Sequence, residues 1–188
     1  MAKMQALSIV LLVLLGGCAS GARMSGMTVP IDEATVISDT SALYHAIEIS
    51  DVSGGEETNP LWVSKVSNED FRAALENTLL VHTMLAEKDG GQYQLSVDLQ
   101  KLEQPWGGFD LKVTAAAHYI LRDKENQVVF DQRIETPYTA DFGDSFLAYE
   151  RIRLANEGAV RLNIEAFIKQ LLEDSKSIPG LNISGAGE

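Results

Sequence analysis

Few side chains in this sequence could carry covalent or acid–base chemistry, and their spacing sorts them quickly. There is one cysteine, Cys18, and there are three histidines, His45, His82 and His118. None of the histidines stands within three or four residues of another histidine, of the cysteine or of paired carboxylates, so no metal-ligand spacing is present. No Gly-x-Ser-x-Gly elbow, phosphate-binding loop or dinucleotide fingerprint occurs. Glu56-Glu57 is a carboxylate pair of the kind any acidic surface supplies. His82 falls on an apolar helical stripe, where a core or boundary histidine is a simpler reading than a ligand. Asn156-Glu157, with Arg153 and Arg161, offers polar groups able to reach the loop Asp141-Phe142-Gly143-Asp144, and a structural ion network explains them more simply than an active site. The sequence therefore predicts no catalytic residue, no metal and no cofactor.

The chemistry that remains surrounds Cys18. Met1 and Lys3 open a short cationic segment, and Ala6 to Leu15 is a mostly apolar run of ten residues. Crossing a hydrocarbon core of about 30 Å takes about 20 helical residues, so the run reads as an export signal and not as a membrane span. Leu15-Gly16-Gly17-Cys18 resembles the lipobox of bacterial lipoproteins: an aliphatic residue, two small residues and the cysteine. The resemblance implies a cut between Gly17 and Cys18, diacylglycerol on the Cys18 sulfur and acylation of the new amine. A plain secretory signal would leave one unpaired thiol in a secreted chain, which is unusual. One acyl chain holds a protein only marginally, whereas two or three make a durable anchor. In enterobacterial lipoproteins an Asp after the cysteine favours inner-membrane retention, so Ala19 implies the outer membrane, facing the periplasm.

The signal occupies residues 1–17. Residues 18–28, small and polar, read as the lipidated Cys18 and a flexible tether. Without residues 1–17 the chain has 27 acidic and 14 basic residues, a formal charge of −13. That surface repels nucleic acid and anionic headgroups, and no basic stripe is present. A single α+β domain is expected over 29–174 and a flexible tail over 175–188.

Within the domain, Tyr44 to Ser50 alternates with His45, Ile47 and Ile49 on one side, a strand candidate; Thr35-Val36-Ile37 is a weaker one, and Val52 to Asn59 reads as a loop. Ser67 is a helix N-cap with acids in the first turn. Phe71, Leu75, Thr78, Leu79, His82 and Leu85 then form one stripe, ended by Gly90-Gly91. Tyr93, Leu95, Val97 and Leu99 alternate with polar residues, a half-buried strand. Leu111 to Leu121 is a more apolar, central strand, and Val128 to Tyr138 a third, with Pro137 near its end. A second helix runs from a cap at Asp144 or Ser145 to about Asp174, burying Phe146, Tyr149, Ile152, Ala159, Val160, Ile164, Phe167, Ile168 and Leu171. Gly158 inside it marks a close-packing point or a bend.

The order predicts a two-layer α+β sandwich, a mostly antiparallel sheet of four to five strands with two amphipathic helices on one face. That architecture resembles small outer-envelope lipoproteins: the YajG type, the lipopolysaccharide-assembly lipoprotein that plugs a barrel, and auxiliary lipoproteins of lipid-transporting ABC systems. Tyr93-x-Leu-x-Val-x-Leu-x-x-Leu-x-Gln-Pro, with Arg153-Leu-Ala-Asn-Glu-Gly-Ala-Val-Arg-x-Asn-Ile, is similar to a family of uncharacterised bacterial lipoproteins. Some chains of that kind carry an acyltransferase label. Sugar-nucleotide acyltransferases are left-handed β-helices of hexapeptide repeats that work in the cytoplasm, whereas this chain has no such period and carries an export signal.

Gln104-Pro105-Trp106-Gly107-Gly108-Phe109 puts two large aromatics in a hairpin tip, where polar residues would suffice. Trp106 and Phe109 are therefore the candidate contact for a partner or a membrane, the alternative being that they fold back over the core. The expected function is that of a non-enzymatic envelope lipoprotein binding a protein partner or a lipid, and the alternative is an envelope enzyme.

Overall fold

The computed structural model describes residues 20–31, 35–59, 64–88 and 90–176. Gly17 and Cys18, with the rest of the signal, and the tail from residue 177 lie outside the described residues. In chain order the elements are α1 (Met24–Met27), β1 (Ile47–Ser53), α2 (Asn68–Val81), β2 (Tyr93–Glu103), β3 (Leu111–Arg122), β4 (Val128–Ala140) and α3 (Ala148–Ser175). The strands form one four-stranded sheet in the order β1-β2-β3-β4. Tight connections make β2–β3 and β3–β4 antiparallel, while β1 and β2, joined through α2, pair in parallel. This is the expected α+β layer, mostly antiparallel, with a short third helix added.

Alternation decides which face is covered. Tyr93, Leu95, Val97 and Leu99 of β2 face inward with Val113, Ala115, Ala117, Tyr119 and Leu121 of β3 and with Phe130 and Ile134 of β4. Both edge-ward strands of the first half carry a bulge. In β1 the register shifts between Ile49 and Asp51, so Ile47, Ile49 and Val52 all face the core although the last two are not an even number apart. The strand consequently starts later than the sequence suggests and runs through Ser53, into what reads as a loop; His45, at φ 47°, turns the chain just before it. In β2 the shift between Leu99 and Lys101 puts Leu102 on the core side.

On α2, Ser67 caps as expected: its Oγ accepts the Asp70 N–H at 3.1 Å. Phe71, Ala74, Leu75, Thr78 and Leu79 are buried. The helix stops at Val81 and not at Gly90-Gly91, because Thr83 turns the backbone at φ 61°. Leu85 has therefore left the helical stripe and bridges Ile47. Pro137 does not end β4, which continues to Ala140. An edge strand tolerates a residue without an N–H on its outer side, and β4 is an edge.

The helix α3 lies across β3 and β4, burying Ile152, Ala155, Ala159, Val160, Ile164, Phe167, Ile168 and Leu171. Tyr119 stacks flat on Phe167 with centroids 4.4 Å apart, and its hydroxyl donates to Asn163 Oδ1 at 2.8 Å. Burial pushes the Tyr119 phenol far above its usual range, so it stays a neutral donor. Asn163 Nδ2 donates in turn to the carbonyls of Ile134 and Ala115 and to Thr136 Oγ1. Gly158 is a close-packing point: a Cβ there would fall inside the ring of Tyr138.

Two boundaries differ from the sequence reading. The helix α3 begins at Ala148 with Leu147 at the N-cap and no side-chain cap. The capping candidates are spent on the preceding turn, where Asp144 Oδ2 accepts the Asp141 N–H and Ser145 Oγ the Leu147 N–H. The flexible tether expected through residue 28 also does not hold. Ala22, Met27 and Val29 belong to the core, and α1 packs on both long helices.

Gly158→Ala sets two effects against each other. Helix propensity favours Ala by about 1 kcal/mol, while overpacking a tight site costs about 1–3 kcal/mol. We expect net destabilisation in chemical denaturation of the chain from Ala19 onward. In a Tyr138→Ala background the same change should become neutral or stabilising; an equal loss in both backgrounds would place the close contact elsewhere.

Candidate functional site

Two constellations occupy the end of the domain where β2 turns into β3 and β4 leads into α3. The first is buried and polar. Arg153 and Glu157, one turn apart on α3 and both almost completely buried, pair at 2.6 Å. The same Glu157 oxygen accepts the Arg23 backbone N–H at 2.9 Å. Arg161, one turn on, donates to Gly26 O at 2.8 Å and lies over the Tyr138 ring. A Cβ at Gly26 would overlap the Glu157 carboxylate where it stands, so a larger residue would have to displace it. A buried carboxylate is costly unless its charge is paired and its lone pairs are bonded, and here the N-terminal segment supplies part of that bonding.

Asn156 extends the layer. Its Nδ2 donates to Ser64 O at 2.9 Å, and its Oδ1 accepts Gln104 Nε2 at 2.8 Å. Gln104 also donates to Ser64 O at 2.7 Å. The bulge in β2 makes this possible, because it switches the alternation and turns Gln104 toward the helix layer. Asn156, Glu157, Arg153 and Arg161 do form a bonded polar network, with partners other than the expected loop. They bind residues 23–26, Ser64 and Gln104, while the loop at Asp141–Asp144 bonds within itself and to Asp110 Oδ1 through the Phe142 N–H.

The second constellation is exposed and aromatic. Trp106 is fully exposed, and Phe109 and Phe146 keep 79% and 81% of their surface open. Phe109 meets Phe142 edge-on at 6.0 Å, and Phe142 meets Phe146 edge-on at 5.4 Å. The Arg151 guanidinium stands 5.1 Å over the Phe142 ring and donates to Ser145 O at 2.6 Å. Trp106 and Phe109 do not fold back over the core. The sequence reading singles out these two and misses Phe142 and Phe146, which meet Phe109 from the β4–α3 loop, and the exposed Leu147 beside them. A helix beginning at Asp144 or Ser145 would turn Phe146 inward; with the start at Ala148, Phe146 and Leu147 project from the turn. Adjacent Phe-x-x-x-Phe in a loop was the signal available.

The histidines are not brought together into a site. His82 is fully buried with Nδ1 2.8 Å from Thr78 O, a core histidine. His45 Nδ1 lies 3.0 Å from Leu85 O. His118 stands on the uncovered sheet face, 2.6 Å from Asp131. That face carries exposed ion pairs of Lys101 with Glu103 and Glu135 and of Arg133 with Glu135, and Arg133 also donates to Gln100 Oε1. The hydrogen bond from Arg133, reinforced by Lys101, holds the Glu135 carboxyl below its usual range. Exposed pairs of this kind contribute little to stability. Glu56 pairs with Lys65 at 3.1 Å. Among the described residues no three His, Cys, Asp or Glu side chains are grouped to hold a metal ion, and no helix is long and apolar enough to cross a membrane.

No family model and no curated protein matches the chain. Solved structures do. A DUF330 protein from Xanthomonas campestris is 12% identical and aligns over 80% of this chain and 95% of its own, with a TM-score of 0.52. The two chains share a fold. A minor lipoprotein from Acinetobacter baumannii is 6% identical, over 72% of this chain and 97% of its own, with a TM-score of 0.45. A Caulobacter crescentus protein is 15% identical, over 71% and 92% respectively, with a TM-score of 0.48.

Glu157→Ala strands a buried guanidinium and releases the Arg23 amide. A loss of about 3–5 kcal/mol in denaturation is expected, together with faster hydrogen exchange over residues 22–29. Unchanged exchange there would show that Glu157 does not hold the segment. Trp106→Ala, by contrast, should move stability by no more than about 0.5 kcal/mol, as surface substitutions do. A sharp drop in the unfolding midpoint would return the indole to the core.

Proposed function

We propose that this chain is an exported lipoprotein, anchored by acyl chains on Cys18 in the outer membrane and facing the periplasm. It works without catalysis, binding a protein or lipid of the envelope through the aromatic end of its domain. The observation that carries the reading is the pairing of the lipobox-like Leu15-Gly16-Gly17-Cys18 with a cluster of projecting aromatics from two separate loops. Contact surfaces concentrate their energy in a few such side chains, Trp above all.

The polar groups of the same end support a binding role over an enzymatic one. Glu157 is committed to Arg153 and the Arg23 amide, and Asn156 to Ser64 and Gln104, so these groups are spent on holding the fold. An acyltransferase of the hexapeptide type is a β-helix, and this domain is a sheet covered by helices. The flush contact of Gly158 on Tyr138 and the stacked Tyr119 and Phe167 fill the space between α3 and the sheet. That filling favours contact at the surface over carriage of a lipid between the layers.

Cys18→Ser tests the anchor. The sulfur is the acyl acceptor and no other thiol exists in the chain, so the variant should accumulate as uncut precursor and take up no palmitate analogue. Equal labelling of variant and parent would overturn the lipoprotein reading.

A further inference from the structure

The described chain begins at the aromatic end. Ala22 donates its N–H to Lys65 O at 2.9 Å, and the neighbouring Ser64 O accepts Gln104 Nε2 at 2.7 Å, two residues before Trp106. The N-terminal segment therefore enters the fold beside the base of the β2–β3 hairpin. It is fixed there by the Arg23 backbone N–H, which donates to Glu157. Cys18 precedes Ala22 by four residues, which span at most about 14 Å when fully extended. Any membrane holding Cys18 must then lie within that reach of Ala22, on the side of the domain from which the hairpin projects.

We infer that Trp106, Phe109, Phe146 and Leu147 sit in the headgroup region of the bilayer that holds the anchor, so that the domain stands on its aromatic end. This rests on acylation of Cys18 as proposed above. Trp and other amphipathic aromatics settle at the boundary between headgroups and acyl chains, where the ring is dry and the polar atom wet. The four side chains come from two loops and project from the same end of the sheet, as a shallow interfacial seat requires. Charge restricts the kind of bilayer. Asp110, Asp141 and Asp144 stand in the two loops that carry the rings, Arg151 is buried against Phe142, and the exposed Lys112 follows at the start of β3, so acidic groups outnumber exposed cations there. Such a rim is repelled by anionic headgroups and suits a zwitterionic leaflet. The lipid supplies the lasting attachment; the aromatics set the pose.

The test uses the full-length acylated protein, purified from its own membranes and reconstituted into vesicles of zwitterionic phosphatidylcholine brominated near the headgroup end of the acyl chains. The chain has two tryptophans, so Trp106 emission is taken as the difference between the parent and Trp106→Phe. Flotation of both is measured on the same samples. With both floating, Trp106 emission should be blue-shifted and reduced by roughly half relative to unbrominated vesicles, as for a ring at the acyl boundary. Replacing a third of the lipid with anionic phosphatidylglycerol should weaken the quenching. Floating vesicles with a Trp106 emission that is water-like would overturn the seat while leaving the anchor standing. A blue-shifted emission that bromine does not quench would overturn it too, in favour of a second copy covering the ring. Failure to float would remove the anchor itself, and the seat with it.

Discussion

A tyrosine ring fills the place where α3 would need a side chain. Because residue 158 is glycine, the helix backbone rests directly on Tyr138 of β4. That approach brings the rest of α3 within reach of groups no longer contact would serve. Asn163 extends to the carbonyls of two strands and to the Tyr119 hydroxyl, and Phe167 stacks on the Tyr119 ring. On either side of Gly158 the helix presents Glu157 and Arg161, one turn apart from each other, to the incoming N-terminal segment. The position that costs the helix some intrinsic stability is thus the one that sets its height above the sheet.

The polar layer built on that placement is an uncommon expense for a domain of this size. Arg153 and Glu157 are both withdrawn from water, and Arg153 Nε has no partner among the described residues. An apolar pair of similar volume could stabilise the fold as well or better. What the ion pair supplies is direction: a carboxylate oxygen accepts a backbone N–H from residue 23, which a leucine could not. Specific docking of residues 22–29 is what the charge obtains.

Much of the fold was legible because β2, β3 and α2 satisfy local rules at once. Strict alternation from Tyr93 to Leu99, and a Ser67 cap before a helical stripe, need no distant partner to be recognised. The errors arose where two rules competed or where the partner was remote. Asp144 and Ser145 are good caps, but a turn used them first, and α3 started late. Ala22 and Met27 sit in a stretch of small polar residues and owe their burial to Glu157 and Arg161, more than a hundred positions away in the chain. The bulges at Ser50 and Gln100 leave no mark in composition, yet they decide the faces of Val52, Leu102 and Gln104. At the candidate site, two glycine-flanked aromatics betrayed the hairpin tip, whereas Phe142 and Phe146 joined them only through the meeting of two loops.

The two edges of the sheet carry a consequence for a protein held in a plane. An unpaired strand edge is a template for pairing with another copy, and confinement to a bilayer surface raises the rate at which copies meet in a common orientation. Both edges of this sheet are interrupted. Along β1 the bulge at Ser50 breaks the spacing of the free backbone groups, and along β4 Pro137 removes a donor. Each irregularity, with Leu85 bridging Ile47 on the outer side of β1, opposes edge-to-edge pairing of copies.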